Sequence, residues 1–418
     1  MLIRFYSIAV CLVLAISAFA QRVDTDIRIF NKNIHSLKIA PIDKPYGVPI
    51  IALGSDEQLN VNFDLIDYDA HYLRYSITHC NADWQPSRLI DSEFVSGFNQ
   101  ADITDFAQSE GTFTHYFNYN FTFPNDDMQI LKSGNYLLKV SEQDAPDNVL
   151  FQTRFSVCEH TVNVAVETTS RTDIDYNDAH QQVSFEVTYK SGTIQNPYQE
   201  LKALVTQNSR TVMVENPLMV GGNKVTYDHN PALIFNAGNE YRRMETVNVN
   251  ALNMGVSRIE YFEPYYHATV NPDQPRVSTQ YLYDQTQFWR FTIRNAEAND
   301  SHTQADYIIT HFTLEPDEML PKGKIYLQGE FTQGLSPSAT QLRYEPESGT
   351  YTCDIMLKQG HYNYQYMFVP DGGKVGLTSY IEGDKYQTIN EYLVKIYSHP
   401  MGERYDHFVG YGVAYSGK

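Results

Sequence analysis

Cysteine, tryptophan and basic side chains are all scarce in this chain. Only 4 cysteines and 2 tryptophans occur in 418 residues. Cys11 lies in the apolar start, which leaves Cys80, Cys158 and Cys353 far apart in sequence. That spacing excludes a Cys-x-x-Cys redox pair and a cysteine zinc site. Three buried free thiols acting as small hydrophobes are the expectation, with a Cys80–Cys158 disulfide as the alternative in an oxidising compartment. Lys and Arg number 31 against 50 Asp and Glu, a net charge of −19. Without clustered cations the chain is not expected to bind nucleic acid. Beyond the first 21 residues no run approaches the ~18 apolar residues of a membrane-spanning helix. Long apolar patterns of period 3.6 are missing too, so helices are not expected to build the fold.

The start is different. Met1–Arg4 is short and basic, Phe5–Phe19 is mostly apolar, and Ala18-Phe19-Ala20 ends it on small residues. This order reads as a signal peptide over residues 1–20, and an exported, periplasmic protein is expected. No cysteine follows the cleavage point, so no lipid anchor is expected.

What the chain has in quantity is strand-forming residues, with 32 tyrosines and 22 phenylalanines. Such residues suit a pleated, half-buried surface. Leu59, Val61, Phe63 and Leu65 alternate with Asn60, Asn62 and Asp64, and Val183, Phe185, Val187 and Tyr189 alternate as well. In Tyr362–Phe368 every second residue is aromatic, which marks a face to be buried. The expected fold is all-β, in tandem immunoglobulin-like sandwiches: a first over 21–160, a second over 161–300 and a third over 301–418 with its tail. The polar stretch 296–303 marks the last boundary. A weak echo links Lys132-Ser-Gly134-Asn-Tyr136 with Lys358-Gln-Gly360-His-Tyr362. It suggests the same hairpin device in two sandwiches.

Residues for chemistry are harder to find. Asp173, Asp175, Asn177 and Asp178 offer oxygens at near-alternate positions, but the glycine and the closing glutamate of a calcium loop are missing. His79 and Cys80 are adjacent on a predicted strand and point to opposite faces, so they do not form a nucleophile–base pair. No nucleophile elbow, phosphate loop or His-Glu-x-x-His motif is present. No catalytic residue, metal or cofactor is expected, and the chain reads as non-enzymatic.

The third unit resembles the glycogen-binding sandwich module of starch and glycogen enzymes. Ile325–Phe331, the hairpin from Tyr344 to Tyr351, and Lys358–Tyr366 carry that likeness, but no tryptophan follows to stack on sugar. Across the whole chain, Tyr72–Trp84 with its His79-Cys80-Asn81-Ala82-Asp83-Trp84 core, Phe235–Arg242 with Asn239, Glu240 and Arg242, and Asn390–Tyr411 resemble the plug proteins of the type IX secretion system of Bacteroidota. The resemblance implies a non-enzymatic plug on the periplasmic side of the large outer-membrane β-barrel translocon. His79, Cys80, Asn81, Asp83, Trp84, Asn239, Glu240 and Arg242 are then family positions, structural or at an interface. A periplasmic carbohydrate-binding protein is the alternative, and a hydrolase using His79 a third reading. The first predicts capture of a barrel, the second an exposed aromatic row, the third side chains converging in a pocket.

Overall fold

The computed structural model describes residues 22–208, 210–214, 217–318 and 320–417. The signal peptide read from residues 1–20 lies outside the described residues. Nearly all regular structure is strand, as the residue usage implies, and the helices among the described residues are single turns.

The first sandwich sets one sheet, with Gly134–Glu142 between Leu73–Cys80 and Val149–Cys158, against a second formed by Ile34–Pro41, Leu59–Leu65, Phe117–Phe123 and Phe106–Gln108. Ile50–Ala52 adds to the first sheet in parallel with Val149–Cys158. The apolar members of Leu59–Leu65 point inward, where Phe63 meets Phe151 edge-on at 4.8 Å. Each such buried ring contributes roughly 2–3 kcal/mol of transfer free energy.

The second sandwich holds a correction to the expected boundaries. One of its sheets is built on Val162–Thr169 and His180–Tyr189. The other runs Arg210–Val214, Leu201–Gln207, Glu391–Ser398, His407–Tyr415. Its core therefore includes Tyr392, Val394, Ile396 and Val409 from the end of the chain. The strand expected to finish the third unit, together with the tail after Pro400, closes the second instead. The reason is non-local: Leu201–Gln207 offers an edge, and Glu391–Ser398 fills it from Leu201↔Ser398 to Gln207↔Tyr392.

The third sandwich is thereby inserted into the second. Arg242–Glu245, Gly360–Pro370, Phe291–Ile293 and Gly323–Gln328 make one sheet. Val256–Phe262, Tyr265–Val270, Tyr307–Leu314, Thr350–Lys358 and Arg343–Glu345 make the other. It begins near residue 240 rather than 300, so the polar stretch 296–303 is an internal connection. Two chain crossings without regular structure, residues 237–241 and 383–390, tie it to its host.

The repeated Lys-x-Gly-x-Tyr echo has a physical counterpart. Tyr136 donates its hydroxyl to the Lys132 carbonyl at 2.7 Å, and Tyr362 donates to the Lys358 carbonyl at 2.5 Å. Both pin a strand entry in the way a tyrosine corner does. Gly134 sits at φ +139°, and a Cβ there would lie 2.5 Å from His79 Nε2. Only glycine satisfies both conditions.

Candidate functional site

The residues singled out in the sequence do not converge on one pocket. They gather at the seams between sandwiches, and the first seam joins the first sandwich to the second. His79 is 1% exposed. Its Nε2 donates to the Ser133 carbonyl at 2.9 Å, which leaves Nδ1 to accept from the Ser87 hydroxyl at 2.8 Å. Tyr136 and Tyr405 pack edge-on against its ring at 5.0 and 5.1 Å. Burial pulls its pKa down to about 4, so the ring is neutral at pH 7. Both nitrogens are engaged, and no base function is left over.

Asn81 to Trp84 form the turn that docks on the C-terminal strands. Asp406, which is 2% exposed, accepts from the Ala82 amide at 3.0 Å, while its own amide donates to Asn81 Oδ1 at 3.0 Å. Lys202 and His399 complete its shell at 3.2 and 2.8 Å. Asp83 faces solvent and accepts from the Gln85 amide at 3.1 Å. Trp84 does not fold over the apolar core. It sits half-buried at φ +63°, held by its amide N–H, which donates to the Asn81 carbonyl at 2.9 Å. Its ring face carries the Arg154 guanidinium at 4.4 Å, with the Lys395 ammonium at 5.7 Å. Behind this turn an apolar cluster of Ile50, Ala82 and Cys158 with Leu204, Tyr397 and Phe408 welds the two sandwiches.

Lys395 is an unusual member of this seam. It bonds the Ser156 hydroxyl at 3.0 Å, and burial brings its pKa down from 10.5 to about 8. Because the folded chain holds this proton less tightly than the unfolded one, the ammonium costs stability below pH 8, and the cost fades as pH rises towards 10.5. Lys395→Met is expected to raise stability at pH 7 by roughly 1–3 kcal/mol, and by much less at pH 10. Urea unfolding at the two pH values checks it.

The second seam, between the first and third sandwiches, uses residues that the sequence reading passed over. Asp64 was legible only as a polar-face residue of an alternating strand, yet it is 0% exposed. It accepts from Lys358 Nζ and the Tyr307 hydroxyl, each at 2.6 Å, and from Asn118 Nδ2 at 2.7 Å. Lys358, 1% exposed, also lies 4.1 Å above the Tyr116 ring. Burial lowers its pKa, and Asp64 only partly restores it. Asp306 caps the same seam by accepting from the Phe113 and Thr114 amides at 2.7 and 3.1 Å.

Asn239, Glu240 and Arg242 belong to the entry into the third sandwich. Asn239 Nδ2 donates to the Glu382 carbonyl at 2.8 Å. Glu240 accepts from the Ile389 amide at 3.0 Å and the Tyr281 hydroxyl at 2.8 Å. Arg242 bridges Asp273 at 2.7 Å and Glu382 at 3.0 Å. Burial alone would raise the Glu382 carboxyl, but Arg242 and Arg276 outweigh it and hold it below the usual range.

Cys80, Cys158 and Cys353 are free and buried. Burial pushes the first two thiols up to about 12 and the third to about 11, so none is a ready thiolate at pH 7. Gly134–Glu142 lies between the strands of Cys80 and Cys158, and Cys80 is in register with Ser156 rather than Cys158, so the two are more than roughly 10 Å apart, beyond the ~7 Å limit of a disulfide. Asp173 and Asp175 are taken up by His229 and His180 at 2.8 and 2.7 Å. Among the described residues no group of three or more His, Cys, Asp or Glu is placed to hold a metal. Tyr362, Tyr364 and Tyr366 are 2%, 2% and 0% exposed, so this aromatic row is core and offers no platform to a sugar. Two cavities, of about 400 and 370 Å³, lie at the seam of the first and third sandwiches.

Comparison with known proteins bears on these seams. No curated protein matches the chain. Among solved structures, the crystal structure of a hypothetical protein from Parabacteroides merdae superposes with a TM-score of 0.92 at 41% identity, covering 94% of this chain and 100% of that one. Residues 34–159 match the family described as "Type 9 secretion system plug protein 1st domain". That match runs from the opening of strand Ile34–Pro41 to the residue after Val149–Cys158, which is the body of the first sandwich. With its first sandwich so matched and its motif residues seated at the seams of that sandwich and its neighbours, the chain belongs to the type IX secretion system plug protein family.

Proposed function

We propose that this chain is a non-enzymatic plug that binds the periplasmic side of the large outer-membrane β-barrel translocon of type IX secretion and occludes its pore. The observation that carries the reading is the family match over the first sandwich. The seams support it: the motif side chains are spent on joining three sandwiches, as a body that must block a wide pore requires. Its acidic, tyrosine-rich surface suits a wet, specific protein interface. The test is crosslinking in cells followed by pull-down from detergent-solubilised outer membranes. A barrel protein should be captured, and cells lacking the chain should admit large antibiotics that the outer membrane normally excludes. Capture of no barrel together with an unchanged permeability overturns the reading.

A further inference from the structure

We infer that the third sandwich is a movable arm, hinged on its two crossings and latched to the first sandwich by the Asp64–Lys358–Tyr307 knot. The three sandwiches are not joined alike. The first and second share an apolar cluster that contains residues of both. The core of the third is a separate cluster, and among the described residues no buried apolar cluster joins it to either neighbour. Its contacts with the first are hydrogen bonds, one ion pair and a few ring contacts, Tyr116 with Tyr307 at 5.4 Å and Phe113 with Tyr261 at 4.5 Å. Lys38 Nζ donates to the Phe291 carbonyl at 2.9 Å, the Ser36 and Tyr307 hydroxyls meet at 2.9 Å, and the Glu110 amide donates to the Thr303 carbonyl at 2.9 Å. Both cavities named above lie along this seam, so it is also loosely packed. A polar, loosely packed interface inside one chain behaves as a transient one. Opening it returns Asp64 and Lys358 to water, so hydration offsets part of the loss of their attraction.

The crossings are built to turn. Gly238 and Gly383 both adopt left-handed backbone, at φ +62° and +74°. The two segments hold each other, with the Lys385 amide donating to the Gly238 carbonyl at 2.8 Å and the Gly238 amide to Asp384 at 2.9 Å, and they are seated on the second sandwich by Gln181, whose Nε2 donates to the Tyr386 and Thr388 carbonyls at 2.8 Å. Beside them Arg290 and Glu391 pair at 2.7 Å across the same junction, close to where the arm would pivot.

Hydrogen exchange on the free mature chain tests this apart from any role in secretion. The Glu110, Phe113 and Thr114 amides are bonded only across the latch. The Glu159 and Thr161 amides are bonded to the Phe408 and Val409 carbonyls of the C-terminal strand. The first group is expected to exchange roughly tenfold faster than the second, as local opening below the global free energy requires. The double change Asp64→Asn with Lys358→Met, which strands neither charge, should speed the first group roughly tenfold more and leave the second unchanged. A cysteine pair, Glu110→Cys with Thr303→Cys, should slow the neighbouring Phe113 and Thr114 amides to the rate of the second group when oxidised. One common rate at both seams, or acceleration of both by the double change, overturns the arm, as does an oxidised pair that leaves Phe113 and Thr114 fast.

Discussion

Acidification from pH 7 to pH 5 is expected to cost this fold roughly 2 kcal/mol through His79 alone. The ring is buried and neutral, and its pKa falls from 6.5 to about 4 on folding. The unfolded chain therefore binds a proton that the folded chain refuses between those values. The stability due to this refusal is complete above pH 6.5 and drains away as pH falls towards 4. His35, beside Tyr307 at the other seam, is lowered to about 4 by burial and adds a loss of the same sign. Other groups oppose them. His71 and His229 are raised, as are the Glu240, Glu330 and Asp384 carboxyls, and each of these gains from a proton on folding. The net pH profile is thus a poor reporter, and a difference is the better one. His79→Gln keeps a donor for the Ser133 carbonyl and an acceptor for the Ser87 hydroxyl without a titrating ring. Between pH 7 and 5 the unchanged chain should lose roughly 2 kcal/mol more than the variant in urea unfolding. Equal losses would show that His79 is not held neutral.

This same residue shows what was legible in the sequence and what was not. Strand alternation depends on neighbours two residues apart, so Leu59–Leu65 and His180–Tyr189 could be read directly. The motif from His79 to Trp84 stood out because its residue types are rare together. Its role was hidden, because the partners Ser133, Asp406 and Tyr405 lie far along the chain and carry no local mark. Asp64 was hidden more thoroughly. In an alternating strand its side points away from the sandwich core, which ordinarily means water, and only the docked third sandwich makes it buried. The strand Glu391–Ser398 was recognised as a strand but placed in the wrong unit, since pairing with Leu201–Gln207 is decided by an open edge almost two hundred residues away. Local pattern therefore read out elements and faces, while the insertion of one sandwich into another, and the seams that follow from it, required the assembled chain.

Glu382 is where one missing carboxylate should do the most damage. It is 0% exposed and meets donors from Arg242, Arg276 and the Tyr366 amide. Its Oε1 accepts from Arg242 Nε at 3.1 Å and the Tyr366 amide at 2.8 Å, and its Oε2 from Arg276 Nε at 2.8 Å and Arg242 Nη2 at 3.0 Å. Glu382→Ala leaves Arg276 without its carboxylate and Arg242 with Asp273 alone, at 2.7 Å. Removing one partner of a buried ion network strands the others, and a loss of roughly 3–5 kcal/mol is expected. Glu382→Gln retains an acceptor for the Tyr366 amide but turns an amide nitrogen towards a guanidinium, so a smaller loss of roughly 1–3 kcal/mol is expected. An exposed pair supplies the contrast. Asp24 and Arg28 meet at 2.8 Å with side chains 45% and 51% exposed, and Asp24→Asn should cost at most about 1 kcal/mol. Urea unfolding of the three variants gives the order Ala, Gln, Asp24→Asn from largest loss to smallest. If Glu382→Ala costs no more than the exposed change, the network is not what anchors the third sandwich at its entry. The same measurement at high salt separates the two classes further, since ions screen the Asp24–Arg28 pair and scarcely reach a carboxylate enclosed by two guanidinium groups and a strand.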